Sequence, residues 1–555
     1  MRRVWRAPIL LLLVAALVAG VAIERGRDDA PVTPVRVTEM AATAAPADTL
    51  SSTWYCAAGT ATGVLSGEGA GVAEQVVQVA NASDSDATGT VTLYPEGAAS
   101  VEVPIAVAAH SRSLVRVSDH VTAPWAAAMV EVSGGEITVA HELTGPTGRS
   151  VSDCASAPGS TWYFPAGTTR TDTEMWLALF NPFPGEAVLD LAFDTPDGAR
   201  TPQDFQGLVV PGGTLVVKKV SDVVTQDEHV STTISARSGR VVAEQVQSLQ
   251  VRDGGTRGLT ATLGATTPSP TWMFPMGPSP TVEAAEQVAV FNPGDADVEV
   301  LVQVQLQDPA ANGTVEPFEV TVPAHRFTVV DVVPPDRAVE GADNRVPQGI
   351  PHWVVVTSPD GADVVAQRSI TGPAGDGYTT TIGLPVVATR WLAPVATTDS
   401  ASVAHLAVAN PSPTDTATVS LRRSGGGSAG PVEEAAEISV APGQWVVFDL
   451  VAAGFVPGDS VEVTSDVGVV VGQWLAFTGP ADVATPLGVP VDGTQWVPTE
   501  VVGPAVPEEL DPDQLAPTET FDQSTVDGEA EVDTTTADTT TDDDGSASST
   551  TTTTG

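Results

Sequence analysis

The sequence predicts an all-β protein: about four tandem immunoglobulin-like β-sandwich modules after one N-terminal transmembrane helix, with a disordered C-terminal tail. Three observations lead there. Of the 555 residues 42% are apolar and only 17% charged, a balance that suits short strands joined by Gly/Pro turns. Runs such as Val298-Glu-Val-Leu-Val-Gln-Val-Gln-Leu306 alternate with the period of two expected of a half-buried strand. The chain also repeats itself, and a fixed period reveals the modular unit without any other protein for comparison.

At the N-terminus Arg2, Arg3 and Arg6 precede an apolar stretch from Ala7 to Ile23. Its seventeen residues, at 1.5 Å each, nearly cross a hydrocarbon core. The basic flank keeps residues 1–6 in the cytoplasm and sends the bulk outward. Cleavage after Gly20 or Ala22 would lack a clean small-x-small pattern, so the expectation is an uncleaved, single-pass anchor in the cell membrane. Residues 24–50 then read as a linker.

Four openings follow: Trp54-Tyr-Cys-Ala-Ala-Gly59, Trp162-Tyr-Phe-Pro-Ala-Gly167, Trp272-Met-Phe-Pro-Met-Gly277 and Trp391-Leu-Ala-Pro-Val-Ala396, spaced 108, 110 and 119 residues apart. They delimit modules at 51–158, 159–268, 269–387 and 388–500. In each, a short apolar strand runs into an asparagine (Asn81, Asn181, Asn292, Asn410), and an acid stands five residues later (Asp86, Glu186, Asp297, Asp415). A second hairpin turns at Val210-Pro-Gly-Gly213, Val322-Pro-Ala-His325 and Ala441-Pro-Gly-Gln444. The module closes on Val139-Ala-His-Glu142, Val242-Ala-Glu-Gln245, Val365-Ala-Gln-Arg368 or Val471-Gly-Gln-Trp474. About seven strands in a unit of roughly 110 residues match an immunoglobulin-like sandwich. A single large propeller or solenoid built from these units is the second architecture.

From residue 501 to 555 there are 14 acidic residues and no basic ones, ending in threonine and aspartate. Such a segment has too little apolar surface to offset its chain entropy, which predicts disorder. The whole chain carries 24 basic against 69 acidic residues, a formal charge of -45. That excludes nucleic acid as a partner, since a polyanion needs a basic surface to displace its counterions. Binding to anionic headgroups is disfavoured for the same reason.

Cys56 and Cys154 are the two cysteines. In an exported chain such a pair reads as a disulfide. His110 and His325 share the hairpin turn where the other copies place Gly213 and Gln444, so the repeat itself argues against a metal role for them. Asn81, Asp84 and Asp86, with Asn292, Asp295 and Asp297, are weak calcium candidates from loop oxygens. The competing role is a turn in which asparagine bonds its own backbone. The four opening tryptophans recur at one register and read as core. Trp125, Trp353 and Trp445, each in one copy only, are the weak candidates for stacking on a ligand. Glu433-Glu434 is an acidic pair, but nothing sets two carboxylates across a cleft as a glycosidase requires. With no nucleophile elbow or phosphate loop, neither a catalytic residue nor a cofactor is assigned.

The basic N-terminal anchor, the repeated Trp-x-x-Pro openings, the strand-Asn-Pro turns and the Thr/Asp tail together resemble an uncharacterised family of exported, membrane-anchored actinobacterial proteins, a domain of unknown function. The first copy departs by lacking proline in its opening. The resemblance implies an envelope location and no established activity. The expected function is a membrane-anchored, non-catalytic envelope scaffold or spacer whose sandwiches bind a cell-wall polymer or envelope protein. The alternative is a carbohydrate-binding or carbohydrate-active envelope protein.

Overall fold

The structure, a computed structural model, describes residues 40–61, 71–250, 255–277, 284–336, 341–347, 349–372, 375–395, 398, 401–425, 430–431, 437–477, 482–491 and 493–495. The apolar segment 7–23, Glu433-Glu434 and the acidic tail lie outside them. Among the described residues no helix is long and apolar enough to cross a membrane. The chain divides into two units, 1–499 and 500–555, and everything described belongs to the first.

The first repeat shows the plan. Its strands are β1 (Ser51–Cys56), β2 (Glu74–Asn81), β3 (Ala87–Pro95), β4 (Val101–Val107), β5 (Ser111–Arg116), β6 (Ala126–Ser133), β7 (Ile137–Thr144) and β8 (Arg149–Asp153). They form two antiparallel four-stranded sheets, ordered β1-β6-β3-β4 and β5-β2-β7-β8. The inner faces interdigitate through Trp54, Val77, Val79, Val91, Leu93 and Val130, all essentially inaccessible to solvent. The expected sandwich is therefore present, with eight strands in place of seven. Its order departs from the immunoglobulin one, in which the first strand lies beside the second and the last beside the sixth. Here the first strand lies beside the sixth, and the seventh lies beside the second.

The other repeats follow the same plan. The second adds a short strand, Gly198–Arg200, at a sheet edge. In the fourth, the sixth and seventh strands run on as one 18-residue strand, Ser460–Phe477, that serves both sheets. The opening tryptophans anchor the register. Trp162, Trp272 and Trp391 are buried and donate their indole N–H to Val241 O (2.9 Å), Val364 O (2.7 Å) and Val469 O (2.9 Å), where the sixth strand hands over to the seventh. A buried indole needs a hydrogen-bond acceptor, and the same peptide carbonyl supplies it each time.

The repeats close into a ring. The last strands of the four copies, β8, Arg257–Leu263, Tyr378–Ile382 and Val483–Ala484, touch in the cyclic order one, two, three, four, one. They meet through side chains: Ser150 Oγ accepts from Ala261 N (2.9 Å), Thr262 Oγ1 donates to Thr380 O (3.1 Å), and Thr381 Oγ1 donates to Thr485 O (2.9 Å). Hydroxyls here saturate strand edges that would otherwise present open backbone. At two junctions the residue before the asparagine packs on the second residue of the preceding opening: Phe180 on Tyr55, and Phe291 on Tyr163. Between the fourth and first copies, Leu392 and Val489 enter the core that holds Trp54. Arg112 donates to Pro394 O there at 3.2 Å. The segment expected to be linker contributes too, since Ala44 pairs in parallel with Val491 and Glu136 N donates to Ala45 O.

Candidate functional site

The asparagine turns are structural clamps. Asn81 Nδ2 donates to Ser85 O and Val107 O, and its Oδ1 accepts from Ser83 N. Asn181, Asn292 and Asn410 make the equivalent three bonds. In the first and third copies the acid five residues on serves the facing hairpin, with Asp86 Oδ1 accepting from Ala109 N (2.9 Å) and Asp297 Oδ1 from Ala324 N (3.0 Å). Asp84 and Asp295 pair with His110 (2.7 Å) and His325 (2.8 Å). The oxygens named for calcium are thus engaged in the turn, and among the described residues no group of three or more His, Cys, Asp or Glu could hold a metal ion.

The histidine turn also corrects an equivalence. His110, His325, Gly213 and Gly443 adopt φ of 52°, 57°, 64° and 67°, whereas Gln444 stands one residue further on, bonded to Asn410. A left-handed backbone favours glycine. Histidine occupies it only in the two copies that supply an aspartate to hold the ring.

The disulfide forms between Cys56 and Cys154. In the second copy the same two places hold Phe164 and Gly264, and a Cβ on Gly264 would stand 2.6 Å from the phenyl ring. The third copy repeats the arrangement with Phe274 over Gly383. One site is therefore filled in two ways, by an aromatic ring on a glycine or by a disulfide.

Charged groups are buried at the module junctions. Glu244, fully buried, accepts from Ala57 N (2.7 Å) and Ala58 N (3.2 Å) of the first copy and faces His141 Nε2 at 3.1 Å. This explains the missing proline, because Ala57 must keep an N–H to donate. Gln367, one module on, caps Ala166 N at 2.9 Å. In the third copy Glu286 lies between His352 (2.6 Å) and Arg368 (3.5 Å), all three buried. Burial works against ionisation of Glu286, but His352 and Arg368 outweigh it and hold the carboxyl below its ordinary value.

Trp125, Trp353 and Trp445, the tryptophans singled out for stacking, are 8%, 2% and 7% exposed. Trp125 packs on Trp176 across a module junction, at 5.7 Å between ring centroids. None offers an open face to a ligand.

At the ring axis the structure holds what the sequence reading missed, a half-open cleft of about 90 Å³ lined by the last strands of all four copies and by Met40–Ala42. At one register, two residues past each of Val151, Ala261, Thr380 and Thr485, the copies place Asp153, Leu263, Ile382 and Leu487. Asp153 is the one charged residue of this lining. Its Oδ1 is buried without a hydrogen-bond partner, and burial raises the carboxyl to about 7 against the opposing pull of His141. Asp482 of the fourth copy, at the other end of this strand, is also raised to about 7 by burial, but it accepts from the backbone N–H groups of Arg149 and Val483. The odd residue is legible in the repeats themselves, which set Asp153 where the other copies carry Leu263, Ile382 and Leu487.

No curated protein matches this chain. Among solved structures, a tetra-tandem repeat in the extending region of a large adhesion protein is similar at 10% identity, with 74% of this chain and 92% of that chain covered and a TM-score of 0.09. That score is too low for the two folds to be called alike. Residues 137–347, from β7 through the second copy and into the third, match the model of a family of unknown function, DUF5719.

Proposed function

We propose that this is a non-catalytic cell-envelope protein, held in the membrane by residues 7–23 with its N-terminus inside, whose ring is a binding head and scaffold for a wall polymer or envelope protein. Ring closure carries the reading. A string of independent sandwiches spans distance, whereas a ring whose fourth copy packs on its first fixes an axial cleft and four sets of loops relative to one another. Recognition gains from such preorganisation because less is lost in ordering the surface on binding. This favours a head over a spacer. Trp125, Trp353 and Trp445 are buried, so the carbohydrate-binding or carbohydrate-active alternative draws no support from exposed indole faces.

The test uses the full-length chain and a variant lacking residues 7–23. The full chain is expected in the membrane fraction and the variant outside it. Full-length protein should also cosediment with isolated cell walls or crosslink to an envelope protein, and opening the ring should abolish that binding. A full-length chain that never reaches the membrane, or binding indifferent to ring opening, would sink the proposal.

A further inference from the structure

The axial cleft combines three features. Its walls combine alanine, leucine, isoleucine, valine and proline with threonine and glycine. Its threonines are largely satisfied by one another, through the bonds of Thr262 to Thr380 and of Thr381 to Thr485. Asp153 alone brings charge, and its Oδ1 has no donor. Three copies out of four fill this register with an aliphatic side chain, so the fold has no need of a carboxylate there. Asp153 is half-buried as a residue, but its Oδ1 is sealed from solvent with no donor, and an unpaired buried carboxylate oxygen where leucine fits points to a ligand.

We propose that the axial cleft binds a cationic group on a short apolar stem, an alkylammonium, with Asp153 as its counter-ion. The ammonium supplies the donor that Oδ1 lacks, in a charge-assisted hydrogen bond. The stem lies against Leu263, Ile382 and Leu487. A free amine and a lysine side chain share this chemistry. The inference deepens the reading of the ring as a binding head and rests on it.

The experiment is a ligand-observed NMR titration of the full-length chain in detergent with butylammonium, with butanol as the neutral isostere, and with a tripeptide carrying one lysine. Butylammonium is expected to bind at least about tenfold more tightly than butanol, and Asp153→Asn to remove that preference. Binding of the peptide but not of the free amine assigns the site to a protein-borne lysine and supports the same chemistry. Asp153→Leu is the second variant. It should melt no lower than the wild type and bind no ammonium, which separates lost recognition from lost folding. Equal affinity for butanol and butylammonium, binding that survives both substitutions, or no binding of any probe overturns the proposal. Membrane fractionation and ring closure are read separately, so failure here leaves those parts of the functional reading standing.

Discussion

Arg390, at the opening of the fourth repeat, is ion-paired with Glu136 of the first and, at 2.5 Å through Nε, with Glu462 of its own. One guanidinium thus ties together the two ends of the ring. Burial pulls its pKa down, but the two carboxylates outweigh that and raise it. Arg390→Ala would leave Glu136 and Glu462 facing each other with little solvent, and the expected cost is about 3 kcal/mol by denaturant unfolding. Crosslinking between copies one and four should fall in parallel. Unchanged crosslinking would show that the apolar seam around Leu392 closes the ring without the ion pair.

The disulfide prediction uses the repeat as its own control. Removing both cysteines as alanines frees a loop of 98 residues and is expected to cost about 4–5 kcal/mol on the chain-entropy model. Cys56→Phe with Cys154→Gly, the pairing of the second copy, should recover part of that loss by filling the site. Its stability should also be insensitive to reductant. Thermal melts of the three proteins with and without reductant decide it.

Glu244 stands where the third copy carries Gln367, each facing the residue three before its asparagine, Ala178 and Ala289. Glu244→Gln should therefore fit, costing roughly 1–2 kcal/mol for the weaker bonds to Ala57 and Ala58. Glu244→Ala should cost roughly 3 kcal/mol or more, since it strands two amide donors and His141 in a dry junction. Equal losses for both would mean that the carboxylate charge, not the acceptor geometry, holds the junction.

Calcium dependence is testable at the turns. Because the side chains of Asn81, Asp86, Asn292 and Asp297 are committed to turn bonds, chelator is expected to leave the melting temperature unchanged. Asn292→Ala, by contrast, should destabilise by roughly 2–3 kcal/mol through the loss of three hydrogen bonds at a buried site. A chelator-induced drop in melting temperature would restore the metal reading.

The pH dependence follows from Asp153 and Asp482, whose carboxyls are raised from 3.8 to about 7 by burial. In this case the folded state holds the proton more tightly than the unfolded one, so stability falls with rising pH. The contribution is fully present below about pH 4 and is lost as pH rises through about 7. Each group accounts for up to about 4 kcal/mol on full ionisation. Asp153→Leu should flatten the slope between pH 4 and 7 in a denaturation series. A slope unaffected by that substitution would show that Asp153 titrates in an ordinary environment.

The sequence alone determined the modular unit, the asparagine turn, the buried role of the opening tryptophans and the pairing of Cys56 with Cys154. These are properties of single repeats, where alternation and turn chemistry specify local pairing and four copies reveal which positions are fixed. Strand order was less legible, because alternation shows that a strand has an inner face and not which sheet it joins. The first and seventh strands exchange sheets with no change of pattern. A one-residue offset likewise hid Gly443 behind Gln444 until φ was known. Closure belonged wholly to the tertiary structure. Whether four sandwiches extend or meet depends on the angle between neighbours, which junction groups such as Glu244, Gln367 and Arg390 set across hundreds of residues of sequence. Small differences in that angle accumulate over four copies, and no local pattern encodes their sum. The same closure decides that Asp153, on an unremarkable edge strand, faces a cleft shared by all four repeats.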